Sequence, residues 1–361
     1  MGSEPQLRRL NANSRRISVG VFGATGVVGQ HFVSRLADHP WFELVVLGAS
    51  ERSAGRTYAD ACRWSLSPDP PPVAAQMTVR SCDEVPDCEV VFSALPTDRA
   101  RYVERRLAEA GVKVFTNASA HRMRPDVPLL IPEVNPDHLG TVEGQSTYGS
   151  GGFIVANPNC SATVVATALA PLHKAFGVRS VVVHTMQALS GAGHPGVPAL
   201  DALDTVVPFV PGEEEKLPAE TRKMLGSLDG GRVVEAAFAM SAHCNRVPVR
   251  DGHLETVSVA FERTASPDDV ARAWTDWTPE PQRLGLPSAP APPISVRAEA
   301  DRPQSRLDRD AGGGMTTTVG RLRPCEVLDV RFVSLSHNAV RGAAGGSVLN
   351  AELALAKGLL R

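Results

Sequence analysis

Ile17-Ser18-Val19-Gly20-Val21-Phe22-Gly23-Ala24-Thr25-Gly26-Val27-Val28-Gly29 is the stretch that decides the fold of this chain. The apolar run Ile17 to Phe22 reads as a buried strand, and Gln30 to His39 beyond the glycines reads as a helix. A second apolar strand follows over Phe42 to Ala49. Strand, glycine-rich turn, helix and strand together open a dinucleotide-binding fold. The glycines are spaced G-x-x-G-x-x-G rather than G-x-G-x-x-G, but the physical end is the same. A tight turn lets backbone approach a pyrophosphate, and the helix N-terminus meets its negative charge. Gly23, Thr25, Gly26, Val27, Val28 and Gly29 are therefore candidate cofactor contacts.

Working outward, Val90 to Leu95 and Val112 to Thr116 add apolar strands, with a helical Arg99 to Ala110 between them. Repeated βα alternation predicts an α/β Rossmann-type doubly wound parallel sheet over residues 17–155. Residues 1–16 are polar, carry four arginines and read as a disordered lead-in. Residues 156–337 differ in pattern and predict an α+β domain with a mostly antiparallel or mixed sheet. Val178 to Ala188 and Val233 to Val249 are long strand-like runs, and His253 to Phe261 alternates as a half-buried strand. Arg250-Asp251-Gly252 reads as the turn joining the last two as a hairpin. Pro279 to Pro293 reads as a surface arm. Residues 338–361 are Gly/Ala-rich and then helical over Ser347 to Lys357, a helix expected to pack back on the first domain.

The end of the second strand selects the cofactor. An NAD site places Asp or Glu there to hold the ribose 2′-hydroxyl. Here Ser50, Arg52 and Ser53 offer hydroxyls and a cation suited to a 2′-phosphate, with Glu51 expected to point outward, so NADP is the predicted cofactor.

Composition bounds the partners. The 361 residues are 43% apolar and 21% charged with a formal net charge of -2, which gives no reason to expect nucleic acid or membrane. No segment approaches a membrane span and the N-terminus lacks a secretory apolar core, so a cytoplasmic protein is expected. Cys62, Cys82, Cys88, Cys160, Cys244 and Cys325 form no C-x-x-C pair and keep no zinc spacing, so reduced thiols and no metal are expected.

One cysteine stands apart. Phe153-Ile154-Val155-Ala156 precedes Asn157-Pro158-Asn159-Cys160-Ser161-Ala162-Thr163, and an Ala/Val/Leu-rich helical run follows. Cys160 is thereby placed at a helix N-terminus, where the dipole favours a thiolate and lowers its pKa. With a dinucleotide nearby, a covalent thioester route to hydride transfer is one reading. The local sequence alone fits a small buried thiol equally well.

The chain resembles the aspartate-semialdehyde dehydrogenase family, in its archaeal and fungal branch, along essentially its whole length. The matching blocks are VGVFGATGVVGQ, HPWFELVVLGASERSAG, IPEVNP, NPNCSATVVATAL, SGAGHPGVPALD, GEEEKLPAETRKMLG, CNRVPVRDGH, RPQSRLDRDAGGGM and HNAVRGAAGGSVLNAEL. The resemblance implies NADPH-dependent reduction of an acyl phosphate, L-aspartyl-4-phosphate, to L-aspartate 4-semialdehyde, with phosphate released. It makes Cys160 the nucleophile, Gln187 the residue orienting the acyl intermediate, and His253 the general acid/base, whose ordinary pKa near 6.5 suits proton delivery. Arg246 matches the arginine gripping the substrate carboxylate, a bidentate task suited to guanidinium. Glu213 and Lys216 match a pair holding substrate ammonium and phosphate, although the sequence does not say which of Glu213, Glu214 and Glu215 faces the site. Arg122, in the block from Asn117 to Arg122, matches a second phosphate cation, and Asn117 joins the substrate set. On the cofactor side, Asn338 and Gly342 match the nicotinamide segment, flanked by Ser93 to Pro96 and by Ser190 and Gly191.

His194 and His243 depart from the family pattern in blocks that approach the substrate. They keep open a paralogue with the same chemistry on another acyl donor, such as a malonyl-CoA reductase or an enzyme of specialised metabolism. N-acetyl-glutamyl-phosphate reductase fits the blocks around residues 187–253 poorly. A silent NADPH-binding sensor would not require Cys160, Gln187, Arg246 and His253 together. The resemblance also implies a homodimer or homotetramer built through the second domain's sheet.

Overall fold

The computed structural model describes residues 15–193 and 196–360. Its first sheet holds six strands: β1 (Ile17–Phe22), β2 (Phe42–Ala49), β3 (Val79–Ser81), β4 (Val90–Ser93), β5 (Lys113–Thr116) and β6 (Phe153–Ala156). All pair in parallel, in the order 3-2-1-4-5-6. The order reverses at β1, between β2 and β4, so the crevice beyond the ends of those strands is where such a sheet takes a dinucleotide. Helix α1 (Val27–Leu36) follows β1, and α2 (Thr97–Glu109) follows β4. Helix α1 begins earlier than the sequence pattern suggests because Gly26 caps it directly after the turn. The turn demands glycine. A Cβ on Gly23 would meet the Ala94 carbonyl oxygen at 2.6 Å, and one on Gly29 the Gly23 carbonyl oxygen at 2.1 Å.

Helix α3 (Cys160–Phe176) leads into the second domain, followed by β7 (Val178–Gln187) and α4 (Glu213–Met224). Next come β8 (Ser227–Asp229), β9 (Arg232–Val234), β10 (Ala239–Arg246), β11 (His253–Phe261), α5 (Pro267–Thr275) and α6 (Glu280–Leu284). Strands β12 (Ile294–Arg297), β13 (Thr317–Pro324), β14 (Val330–Ser336) and helix α7 (Gly345–Ala356) complete the chain. The large second sheet is mixed, in the order β10-β7-β11-β14-β13-β12. Helix α3 lies on its inner face, where Val181, Val183, Val257 and Val259 are buried with Val165 and Leu169. The indole N–H of Trp274 on α5 fixes α3 by donating to the Ala168 carbonyl at 2.8 Å.

Three sequence expectations need correction. Arg250-Asp251-Gly252 does not close a hairpin, because β7 lies between β10 and β11, parallel to the first and antiparallel to the second. Residues 247–252 are long enough to step over one strand, about 10 Å. The apolar run from Val233 is likewise broken, its start belonging to a separate β8–β9 hairpin turned at Gly230 and Gly231. Nor is the Pro279 to Pro293 segment a free arm. Its Ser288 N–H donates to the buried Glu352 carboxylate at 3.0 Å, which His39 Nε2 also meets at 2.9 Å. Glu352 sits on α7, and that helix does return to the first domain. Val348, Leu349 and Leu353 share a core with Val19, Phe32 and Phe92.

Candidate active site

Cys160 is the first residue of α3, which starts where β6 ends. Its sulphur lies 3.1 Å from His253 Nε2, at the start of β11. The Ala188 N–H donates to His253 Nδ1 at 3.0 Å, so in the neutral ring the proton sits on Nε2 and points at the sulphur. His253 is fully buried, and burial pushes its imidazole down to about 3, with Arg246 and His337 adding to the shift. The sequence expectation of an ordinary histidine pKa is thereby corrected.

The expectation of a lowered thiol pKa also fails. Burial, and then the Glu213 carboxylate, push Cys160 up to about 12, against the opposing pull of Arg122, the Ser161 N–H and Arg246. The residue keeps a partial opening toward the cleft, but protein surrounds the sulphur closely enough for desolvation to dominate. The helix N-terminus is also already engaged. Asn159 caps it, its Oδ1 accepting from the N–H groups of Ser161 at 2.9 Å and Ala162 at 3.2 Å.

Helix α4 places its three glutamates in different surroundings. Glu213 is buried and accepts from Asn159 Nδ2 at 2.7 Å and from Gln187 Nε2 at 3.4 Å, with Lys216 Nζ at 3.7 Å. Glu214 instead accepts from the Cys244 N–H, and Glu215 is exposed. Arg246, at the end of β10, donates from Nη1 to the Ala188 carbonyl at 2.7 Å. Gly191 lies against both active side chains, since a Cβ there would meet Arg246 Nη1 at 2.9 Å and His253 Cε1 at 3.0 Å. Gly342 packs directly on Cys160.

Arg122 is placed differently from the expectation of an available phosphate cation. It is buried, paired with Glu220 at 3.1 Å, and donates to the Asn117 carbonyl at 2.7 Å. The Asn117 side chain donates to Ser347 Oγ at 3.2 Å and so ties this loop to α7. Sequence reasoning missed Asn159, Glu220 and Lys223. Glu220 also accepts from the Asn159 N–H at 2.6 Å, and Lys223 Nζ clamps the carbonyls of Arg122, Arg124 and Val127. Their signal was the spacing Glu213, Glu220, which puts both carboxylates on one face of α4, and an Asn at the N-cap position.

On the cofactor side, no side chain caps α1 and no acid lies in its first turn, so its first N–H groups remain available to a pyrophosphate. Thr25, Gly26, Val27 and Val28 are partly exposed there, whereas Gly29 is buried and serves helix–strand packing. Glu51 accepts from Ser81 Oγ, which draws its carboxylate toward β3. Arg52 is exposed, with no ion-pair or hydrogen-bond partner among the described residues, and Ser50 and Ser53 flank it. This arrangement fits a 2′-phosphate. Asn338 Nδ2 donates to Ser190 Oγ at 2.8 Å, joining two of the expected nicotinamide segments. Ser93 departs from expectation: its side chain is fully buried beside Glu104, so with Pro96 it can offer the cleft only backbone and ring. His243 lies on the exposed face of β10, stacked on His184 at 5.2 Å between ring centroids, on the opposite strand face from Arg246. His194 lies outside the described residues.

Fold and site define a dinucleotide-dependent oxidoreductase organised around a buried thiol–imidazole pair. Residues 18–142 match the family model described as semialdehyde dehydrogenase, NAD binding domain, and residues 169–341 that of the dimerisation domain. The chain belongs to the aspartate-semialdehyde dehydrogenase family. It is 51% identical to the aspartate-semialdehyde dehydrogenase of Archaeoglobus fulgidus, across 94% of this chain and 98% of the relative. It is 46% identical to that of Schizosaccharomyces pombe, across 95% and 99%. Among solved structures, aspartate semialdehyde dehydrogenase with NADP from Candida albicans superimposes with a TM-score of 0.88 at 40% identity, covering 94% of this chain and 99% of that one.

Proposed function

We propose that this chain catalyses the reversible, NADP-dependent reductive dephosphorylation of L-aspartyl-4-phosphate to L-aspartate 4-semialdehyde through a thioester on Cys160. The observation that carries the reading is the Cys160–His253 contact of 3.1 Å, with Arg246 and Glu213 both near enough for their charges to act on the sulphur. An aspartyl group has a carboxylate for the Arg246 fork and an ammonium for Glu213, while its acyl carbon reaches the sulphur. A coenzyme A thioester would need no ammonium partner, so Glu213 favours the amino acid.

In the acylating step the sulphur–carbon bond forms, the carbon–oxygen bond to phosphate breaks, and the thiol proton leaves with inorganic phosphate. Because Nδ1 is occupied by the Ala188 N–H, His253 serves as a neutral Nε2–H donor, first to the sulphur and then to the acyl oxygen as it gains charge. Lys216, half-exposed at the rim, is placed to receive the phosphate, whereas Arg122 acts at longer range through its field, because Glu220 holds it. Gln187, anchored to Thr185 and Glu213, restrains the acyl group.

Bound NADPH supplies the hydride in the reducing direction. Gly23, Thr25, Gly26, Val27 and Val28 would hold its pyrophosphate, Ser50, Arg52 and Ser53 its 2′-phosphate, and Ser190, Gly191, Asn338 and Gly342 its nicotinamide end. We also propose that the chain self-associates through its second domain. The exposed Val182 on the outer face of β7 and the exposed Leu200, Leu203, Val206 and Phe209 offer apolar surface for a second copy. Six unpaired cysteines suit a reducing, cytoplasmic setting.

The test is phosphate-dependent oxidation of L-aspartate semialdehyde, read as NADPH absorbance. Turnover on the semialdehyde, abolished by Cys160→Ala, is expected. Reduction of malonyl-CoA without turnover on the semialdehyde would overturn the substrate, and full activity of Cys160→Ala would overturn the thioester.

A further inference from the structure

Beneath the first turn of α3, three adjacent strands carry a polar row on the inner sheet face. Thr185 of β7, Glu255 of β11 and Ser334 of β14 lie directly opposite one another in register, and all three are fully buried. Ser161, which follows Cys160 in the chain, is fully buried above the row. Thr185 Oγ1 is engaged by Gln187 Nε2 at 3.3 Å. Neither oxygen of Glu255, nor Ser161 Oγ, nor Ser334 Oγ completes a hydrogen bond of good geometry among the described residues. Four orphan oxygens gathered next to the reactive residue call for a physical account.

A buried carboxylate ordinarily has a cation or several N–H donors around it. Glu255 has no ion pair among the described residues. The charged group facing it from α4 is Glu213, of the same sign, and from β10 it faces the Cys244 thiol. On its own strand, His253 has both ring nitrogens engaged. Burial holds the Glu255 carboxyl well above the carboxylate range, with the nearby Ser161 hydroxyl opposing only in part and Glu213 adding to the rise.

We propose that Glu255 is a positioning residue: an un-ionised carboxylic acid set between Ser161 and Ser334 that braces the first turn of α3 and so fixes the Cys160 sulphur against His253. A protonated carboxyl has one O–H donor and one carbonyl acceptor, so it serves two hydroxyls at once after small rotations of Ser161 and Ser334. An ionised one offers acceptors alone and sets a second negative charge near Glu213. Among the described residues no substrate-site side chain hydrogen-bonds Glu255, so its effect passes through Ser161 to the residue before it.

Only the turnover arm of the test rests on the thioester reading. Infrared spectra of the full-length enzyme at about pH 8 show the carbonyl stretch of a protonated carboxyl that disappears in Glu255→Gln. Absence of that difference overturns the proposal. Iodoacetamide alkylation of Cys160, followed on its own peptide by mass spectrometry, keeps the same pH profile in Glu255→Gln. A profile moved to lower pH reveals a charge at Glu255 and overturns it. In turnover, Glu255→Gln stays within about threefold of the parent kcat, while Glu255→Leu loses about tenfold or more in kcat with KM for the semialdehyde unchanged. Parental kcat in Glu255→Leu overturns the bracing role. An enzyme without turnover on the semialdehyde leaves the infrared and alkylation results decisive, so the two failures are distinguishable.

Discussion

A single methyl group at position 342 tests how closely the nucleophile is held. A Cβ on Gly342 would sit 2.7 Å from Cys160 Cβ and 2.9 Å from its Cα, where ordinary contact begins at 3.4 Å. The two segments must therefore part by about 0.7 Å, and neither target atom can swing away as a side-chain tip could. Both sides are anchored. The Asn159 N–H, just before Cys160, donates to Glu220 at 2.6 Å, while the Gly342 carbonyl accepts from Asn157 Nδ2 at 3.2 Å. The displacement then falls on the contact between the sulphur and His253 Nε2. A misplacement of about 1 Å can cost about 10²-fold in rate, so Gly342→Ala should lose roughly ten- to a hundredfold in kcat. Overpacking should cost about 1–3 kcal/mol in stability. Steady-state NADPH absorbance gives the rate and thermal melting gives the stability. Gly144→Ala is the control, because nothing lies within 4 Å of a Cβ there. A folded Gly342→Ala enzyme with kcat within about twofold of the parent would refute the claim that this contact sets the sulphur's place.

Two further perturbations address the cofactor end. Arg52→Ala should raise KM for NADP by about ten- to a hundredfold and leave KM for NAD nearly unchanged, since a charge-assisted bond contributes about 1.5–3 kcal/mol; equal effects on both would remove Arg52 from the 2′-phosphate site. Glu104, buried between Thr116 and Ser93, has its carboxyl raised from 4.5 to about 7, chiefly by burial. A raised carboxyl pKa gives the folded state the tighter hold on the proton, so its stabilising effect is complete below about pH 4.5 and is lost as pH rises through about 7. At 1.36 kcal/mol per pH unit this is about 3 kcal/mol, so Glu104→Gln should be the more stable protein in urea melts at about pH 8 and show no gain at about pH 4. A gain independent of pH would show that Glu104 is not the titrating group.

Five strands of the first sheet were legible as short apolar runs, with Phe42 to Ala49 read to the residue, whereas Val79-Arg80-Ser81 of β3 is too short and polar to show such a pattern. Of the second sheet only β7, β11 and, within a longer run, β10 were legible, and those only as strands. Which of them pair depends on β7 entering between β10 and β11, a long-range choice with no local signature. Site residues followed the same division. Cys160 announces itself at a helix start, whereas the partners of Arg122 and Glu213 lie about a hundred or fifty residues away, at Glu220 and Asn159. Glu255 sat in plain view in an alternating strand, on the face shared with Val257 and Val259, and a charged residue on an apolar face was the available signal.

The same long-range contacts explain why the helix-start argument misjudged the thiol. A helix N-terminus lowers a cysteine pKa when its N–H groups are free to meet the sulphur. Here Asn159 Oδ1 takes the N–H groups of Ser161 and Ala162, and its Nδ2 brings the Glu213 carboxylate toward the nucleophile. Burial first, and then the Glu213 carboxylate that we propose for the substrate ammonium, therefore keep the resting sulphur protonated. In the proposed reaction an ammonium bound at Glu213 would neutralise the charge that, after burial, opposes ionisation, and the phosphate leaving group would end with the proton. Substrate binding and thiol activation are thus linked, in that proposed reaction, through one carboxylate, with His253 neutral and its Nε2–H aimed at the sulphur.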